Sequence, residues 1–176
     1  MMKPLCVDLD GTLIREDVTL LALKKFLRRN PLVNAAKIIY WLLEGGRACL
    51  KQKLALEVPI DVSTLSYNKK LLDFLLRRKS EGIRLFLVTA CDKVYAEKIA
   101  DSVGIFDGIL ASDGRVNLRA LAKATTLVTL FGEQGFSYAG NSMDDVAVWD
   151  KCSECIIVDP TPSVLKAMEN REYLLF

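Results

Sequence analysis

The sequence contains no histidine. That absence excludes Ser-His-Asp and Cys-His catalysis, imidazole metal sites and phosphohistidine chemistry. Any proton transfer near neutral pH therefore falls to carboxylates, Lys, Tyr or Cys. No long apolar run is present either. The longest strongly apolar stretch, Ile38-Ile39-Tyr40-Trp41-Leu42-Leu43, falls far short of the roughly 18 residues a membrane-spanning helix needs, so a soluble chain is expected. The start of the chain lacks the pattern of a secretory signal, and the five cysteines (Cys6, Cys49, Cys91, Cys152, Cys155) are odd in number and set in apolar surroundings. A reducing, cytoplasmic setting fits that usage. Cys152 and Cys155 form a C-x-x-C, but the second ligand pair of a tetrahedral zinc site is missing, and packing is the expected role. Neither sign of charge dominates: 24 Lys+Arg stand against 22 Asp+Glu, for +2 in a chain that is 51% apolar. Disorder and nucleic-acid-binding tails do not fit such a composition. There is no internal repeat or low-complexity segment, and 176 residues suit one domain, or a core domain with a modest insertion.

What is present is an alternation of short apolar runs with helical patterns, the sign of βα units around a mainly parallel sheet. Strands are expected at Leu5–Leu9, Arg84–Val88, Gly108–Ala111, Phe136–Ala139 and Cys155–Val158, with a weaker one near Tyr173–Phe176. A βαβ crossover needs one helix, yet about 70 residues separate the first two strands, enough for several. Punctuation divides that stretch. Asp17 can cap a helix carrying Leu20, Leu21, Leu23, Phe26 and Leu27 that stops at Asn30-Pro31. Pro31 opens a second helix running to Gly45-Gly46, and a third follows from about Arg47 to Val58-Pro59. A helix over Tyr67–Lys79, ended by Gly82, then leads into the second strand as the ordinary crossover. The expectation is an α/β, three-layer Rossmann-like core (residues 1–16 and 65–176) with a small helical cap over residues 17–64.

That insert is basic. Between Thr19 and Lys53 eight cations (Lys24, Lys25, Arg28, Arg29, Lys37, Arg47, Lys51, Lys53) face one carboxylate, Glu44, so the stretch carries +7 and the rest of the +2 chain carries −5. A solvated helix face is one reading; attraction to a phosphorylated ligand or an anionic membrane surface is the other. Tyr40 and Trp41 of the insert could serve core, pocket or partner surface, and the area that large aromatics usually bury favours core.

The chemistry gathers at expected strand ends. The first strand runs into Val7-Asp8-Leu9-Asp10-Gly11-Thr12-Leu13, and in an open α/β sheet ligands bind at the carboxyl ends of strands. Asp8 and Asp10, two apart, can point the same way there. Carboxylates that close repel unless a cation joins them, and oxygen-only ligands suit Mg²⁺. An Asp-Gly turn with no function is the bland alternative. Thr89, at the end of the second strand, offers a hydroxyl, and the N–H groups that follow, Ala90 first, could hold phosphate oxygens. Lys123 stands before the fourth strand with Arg119 one turn earlier, and either cation could reach the strand ends. The fourth strand ends in Tyr138-Ala139-Gly140-Asn141-Ser142-Met143-Asp144-Asp145, bringing amide and acidic oxygens to a second strand end.

In this order, Asp-x-Asp-Gly-Thr, strand-end Thr, helix Lys and Gly-Asn-Ser-x-x-Asp over residues 8–145 resemble the haloacid dehalogenase-like (HAD) phosphohydrolase superfamily. The insert after the first motif resembles that family's C1 cap, and the 11 residues between Ala111 and Lys123 leave no room for a cap at its second insertion point. A narrower resemblance, in Val7–Leu13, Ala111–Leu118 and Phe136–Asn141 with Val148-Trp149, is to the HAD-like domain N-terminal to UbiA-type prenyltransferases. It implies that a membrane prenyltransferase segment normally follows near residue 176, which would make this chain a truncated or free-standing relative. The +7 insert, together with Asn141, raises a competing expectation, a module that docks through the basic cap on a membrane prenyltransferase or an anionic membrane surface, at the inner face of a membrane.

The superfamily resemblance implies a Mg²⁺-dependent phosphatase of small phosphomonoesters. Asp8 would be the nucleophile and Asp10 the acid/base; Thr89 and Lys123 would complete the catalytic set. Thr89, Ala90, Arg119, Lys123 and Asp144 would contact substrate, and Asp8, the Asp10 carbonyl, Asn141 and Asp145 would hold the metal. Lys123 is preferred to Arg119 because its Lys-x-x-x-Leu spacing to Leu127 resembles the family pattern. Asn141 departs from that pattern, standing where an Asp usually ligates the metal, while Asp144 stands where many relatives carry Asn. An amide oxygen ligates Mg²⁺ without adding charge, so a catalytically weak docking module is the competing expectation. A phosphoaccepting receiver domain does not fit, because its acidic pair precedes the phosphoaccepting strand and no large helical insert follows strand one.

Overall fold

The structure, a computed structural model, describes residues 2–176. Six strands form one sheet in which every pairing is parallel: β1 (Leu5–Val7), β2 (Leu85–Asp92), β3 (Gly108–Ser112), β4 (Ser137–Gly140), β5 (Glu154–Ile157) and β6 (Leu174–Leu175). Alternation along the strands serves two cores at once. Leu5, Val7, Leu85, Leu87, Ala139 and Ile156 face one layer, whereas Cys6, Val88, Tyr138, Cys155 and Ile157 face the other. The first layer packs α3 (Lys69–Ser80) and α4 (Lys93–Val103) through Leu71, Leu75, Tyr95, Ala96 and Ile99. The second packs α5 (Leu121–Phe131), α6 (Val146–Trp149) and α7 (Pro162–Ala167) through Ala124, Leu127, Trp149 and Val164. The result is the three-layer Rossmann-like arrangement the alternating pattern predicts.

Strand order is β3-β2-β1-β4-β5-β6. The chain moves outward from β1 through β2 to β3, then returns to the other side of β1 and moves outward again from β4. The order therefore reverses between β1 and β4, and the crevice beyond their carboxyl ends is where such sheets bind ligands.

Two helices separate β1 from α3. In α1 (Val18–Arg29), the Asp17 carboxylate accepts the Leu20 N–H at 2.8 Å, as an N-cap should. Asn30 ends α1 and caps α2 (Pro31–Glu57), with Pro31 in the first turn. The sequence suggests two helices over this second span. The structure agrees: α2 is two helical segments that meet at a kink, where Gly45 (φ −156°, ψ 22°) and Gly46 (φ 65°, ψ −154°) leave helical geometry. Only Gly46 takes a conformation that L side chains avoid. Trp41 is buried and stacks on Phe26 with ring centroids 5.2 Å apart, whereas Tyr40 is exposed. The far half of α2 is fastened to the core, where the Tyr95 hydroxyl donates to the Leu54 and Val58 carbonyls at 3.1 and 2.6 Å. No described helix is long and apolar enough to cross a membrane.

The second strand outlasts its expected end at Val88, continuing to Asp92 with an irregularity against β3 between Val88 and Asp92. Asp92 then caps α4 through its own carboxylate. All five cysteines are free and buried; Cys152 and Cys155 lie 3.5 Å apart at sulfur within the second apolar layer.

Candidate active site

β1 ends by handing its backbone to β4, with the Asp8 N–H bonded to the Ala139 carbonyl at 2.9 Å. Asp8 is thus set at the reversal of strand order. The chain then turns sharply: Gly11 adopts φ +77°, and a Cβ there would land 2.2 Å from the Asn141 amide nitrogen. That φ favours glycine, and the missing Cβ lets the Asn141 side chain lie against the turn. Asp10 accepts the Val18 N–H at 2.8 Å, anchoring the turn to the start of α1.

Lys123 is the centre of the site's electrostatics. Its side chain is 5% exposed, and Nζ donates to Asp8 Oδ1 at 2.8 Å, Tyr138 Oη at 2.7 Å and Asp145 Oδ1 at 3.3 Å. Tyr138 in turn donates to Asp145 Oδ1 at 2.6 Å. The other Asp145 oxygen accepts from the Asn141 and Ser142 N–H groups and from the Ser142 hydroxyl. Both oxygens of Asp145 are therefore occupied by donors of the protein itself. Arg119 does not reach this network; it pairs with Asp144 at 2.5 Å, half-exposed at the rim.

One ammonium here serves two carboxylates. Burial favours their neutral forms, but Lys123 and the loop donors hold Asp145 below the usual carboxylate range. Burial of the ammonium is likewise outweighed, with Asp8 and Asp145 raising the pKa of Lys123. Asp8 is left with the uncompensated share: burial pushes it up to about 6 against the pull of Lys123. Burial also pushes Asp10 up to about 7, against the Val18 N–H and with the help of Asp8.

These shifts have a consequence for the metal-free fold. With Asp8 and Asp10 raised above their ordinary 3.8, the folded chain keeps protons that the unfolded chain releases between about pH 4 and 7. Their contribution to stability therefore falls as pH rises through that window. Melting in the presence of a chelator is expected to shift down by a few degrees across it, and Asp10→Asn is expected to flatten the slope.

A cavity of about 680 Å³ opens above these groups, between the insert and the strand ends. Asp8, Asp10, Lys123, Asn141 and Ser142 form its floor, with Ala90 beside them, and α2 supplies Leu42, Arg47, Leu50 and Lys51 to its roof. Ala120 borders it at φ 48°, a strained value for a residue with a side chain, and α5 begins there with no side-chain cap. Thr89 is fully buried, its hydroxyl oxygen accepting the Cys91 N–H at 2.9 Å; Ala90, not Thr89, borders the cavity.

Sequence reasoning passed over three residues here. Tyr138 supplies the neutral partner of Lys123, and a phenol in an apolar buried strand was its signal. Lys51 reaches down from α2 to the Ala90 carbonyl at 2.5 Å and to Asn117 Oδ1 at 2.8 Å, joining insert to core. In the sequence Lys51 counts only among the cations of the insert and Asn117 only within the stretch Ala111–Leu118, and neither is marked for this contact.

As a metal centre the floor is sparse in charge, since no group of three or more His, Cys, Asp or Glu among the described residues could hold an ion. The oxygens on offer are those of Asp8, the Asp10 backbone and the Asn141 amide. Hard oxygens with few carboxylates suit Mg²⁺, which keeps several waters of its own.

A family model described as haloacid dehalogenase-like hydrolase matches residues 5–147. A protein of Sinorhizobium fredii (strain NBRC 101917 / NGR234) described as uncharacterized protein y4nM is 36% identical over 155 residues, covering 88% of this chain and 30% of that protein. The chain thus spans under a third of that relative's length. Among solved structures, a protein of unknown function from Bordetella pertussis Tohama I superposes with a TM-score of 0.74 at 17% identity, covering 98% of this chain and 97% of its own. A phosphoserine phosphatase in apo form superposes at 0.67 and 16% identity, over 99% and 94% of the two chains. A phospho-aspartyl intermediate analogue of phosphoserine phosphatase superposes at 0.63 and 17%, over 98% and 92%. At these identities the likeness to solved structures is one of fold.

Proposed function

The chain belongs to the haloacid dehalogenase-like hydrolase family, and from that premise we propose that it is a Mg²⁺-dependent phosphohydrolase cleaving a small phosphomonoester through an aspartyl-phosphate on Asp8. The observation that carries this reading is the grip of Lys123 on a single Asp8 oxygen, at 2.8 Å, on the floor of the cavity. That grip orients the carboxylate and leaves its second oxygen without a side-chain donor.

In this reading the free Asp8 oxygen attacks phosphorus as the bond to the leaving oxygen breaks, and Asp10 gives that oxygen its proton. Asp10, now ionised, takes a proton from water; the water oxygen attacks phosphorus, the bond to Asp8 breaks, and phosphate leaves. A carboxyl whose pKa is pushed up to about 7 can both give and take a proton near neutrality, a task that falls to a carboxylate in a chain without histidine. Lys123 offsets charge gathering between Asp8 and the phosphoryl oxygens, and the Ala90 backbone and the uncapped start of α5 offer N–H groups to those oxygens. Thr89 shapes the end of β2 so that Ala90 faces them. Arg119 and Asp144 form the rim that the rest of the substrate passes.

Asp8, the Asp10 carbonyl and the Asn141 amide would hold the metal, which when bound neutralises charge on the transferring phosphoryl group. Asp145, with both oxygens occupied, is better placed to organise the β4 loop and hold Lys123 than to ligate. Residues 17–64 act as the cap and residues 1–16 with 65–176 as the catalytic core.

Docking without catalysis is the less favoured reading. A module that only docks has no use for a buried ammonium held against two carboxylates, an arrangement that costs desolvation energy. The test is phosphate release from a broad phosphomonoester panel with Mg²⁺ and with chelator. Turnover that requires Mg²⁺ is expected, and silence across the panel with the metal present would count against the reading.

A further inference from the structure

The outer face of α2 is apolar where a helix meeting water should be polar. Leu32, Ala36, Ile39 and Leu43 are spaced to lie in one stripe, with Val33 and Tyr40 beside it, and all six are exposed, Leu32 at 87% and Leu43 at 83%. The opposite face buries Asn34, bonded to the Phe26 carbonyl, and Trp41. No charge interrupts the stripe. Lys37 turns away from it, to Glu57 at 3.2 Å and over the Phe26 and Trp41 rings. A contiguous apolar surface of this kind marks a contact with something other than water.

Charge identifies the occupant. The neighbouring helix α1 exposes Lys24, Lys25 and Arg28, with Arg29 also exposed but donating to the Glu57 carbonyl, and the segment from Thr19 to Lys53 carries +7. A second copy seated face to face would bring two such segments together and be repelled. An anionic lipid surface accepts both features, since apolar side chains enter at the headgroup boundary while Lys and Arg meet lipid phosphates. With no described helix able to span a bilayer, the association through these helices is peripheral.

We propose that the α1–α2 pair seats the protein on an anionic lipid bilayer, with the Leu32–Ile39–Leu43 stripe buried at headgroup depth and the exposed cations of α1 on the lipid phosphates. Vesicle co-sedimentation of the whole chain tests this, comparing phosphatidylcholine alone with phosphatidylcholine mixed with phosphatidylglycerol. Binding is expected on the mixed vesicles only, declining as salt rises. A Leu32→Glu/Leu43→Glu variant is expected to lose at least about tenfold in partitioning, and Lys24→Gln or Arg28→Gln about fivefold each. All four side chains are exposed, so melting temperatures of these variants should match the wild type. Asp8→Asn is expected to bind vesicles as the wild type does, which keeps this result separate from the phosphohydrolase reading. Three outcomes overturn the proposal: no sedimentation with the mixed vesicles, sedimentation unchanged by the paired leucine substitutions, or self-association in solution that Leu43→Glu abolishes without any vesicle binding.

Discussion

Asp8→Asn is expected to lower kcat by about four orders of magnitude or more, the scale seen when a covalent nucleophile is removed, while leaving the fold intact. The substitution is nearly isosteric, and Lys123 keeps Tyr138 and Asp145 as partners at 2.7 and 3.3 Å. What disappears is an anionic oxygen able to form a bond to phosphorus. Because burial holds the Asp8 pKa up at about 6, its ionised form costs stability at neutral pH in the metal-free protein. Removing the charge should leave the melting temperature unchanged or slightly raised. A catalytic loss with a retained or raised melting point separates a chemical role from a structural one. Rapid-quench measurement of phosphate incorporated into the protein supplies a second readout, with label expected on the wild type and none on the variant. Turnover within about tenfold of wild type in Asp8→Asn would sink the aspartyl-phosphate reading, because without the Asp8 carboxylate no covalent intermediate can form.

Five strands were legible in the sequence because each is a short apolar run bounded by turn residues, as a parallel sheet buried on its faces requires; the sixth, Leu174–Leu175, is an exposed edge pair and correspondingly weaker in the sequence. The helix boundaries at Asp17 and Asn30-Pro31 were legible for the same local reason: a side chain caps, or a ring fixes φ. The break of α2 was legible too, since both glycines at positions 45 and 46 leave helical geometry there. The end of β2 was obscured, since the ladder with β3 continues past an irregularity that residue identity does not announce. At the site, Asp8, Asp10, Lys123 and Asn141 stand in motifs whose spacing follows strand and turn, and these meet on the cavity floor. Lys51 and Asn117 meet only through tertiary packing, 66 positions apart in the chain. The engagement of Asp145 was hidden for a further reason. Whether its carboxylate is free depends on the loop's backbone, and the Asn141 and Ser142 N–H groups already hold one of its oxygens.

Lys123→Met is expected to cost about 3–5 kcal/mol of stability at neutral pH, because removing one member of a buried ionic cluster strands the others. In a chain of this size that is a drop on the order of 10 °C in melting temperature. The methionine fills the space of the lysine stem, so the loss is one of charge and hydrogen bonding and not of volume. Asp145 and Asp8 are then buried together without a cation, and both take folded-state pKa values above their unfolded ones. The folded variant therefore binds more protons than the unfolded chain, and its stability falls as pH rises through those values. In the wild type Asp145 is held low by Lys123 and contributes in the opposite sense. The deficit of the variant should accordingly be largest at alkaline pH and shrink on acidification, as each carboxyl takes up a proton and the repulsion goes. Mg²⁺ offers an independent check on where the ion sits. If it binds at Asp8, saturating metal supplies part of the positive charge that Lys123 provided and narrows the deficit; if the gap between wild type and variant is the same with and without the metal, the ion does not lie beside Asp8, and the ligand set of Asp8, the Asp10 carbonyl and Asn141 is wrong.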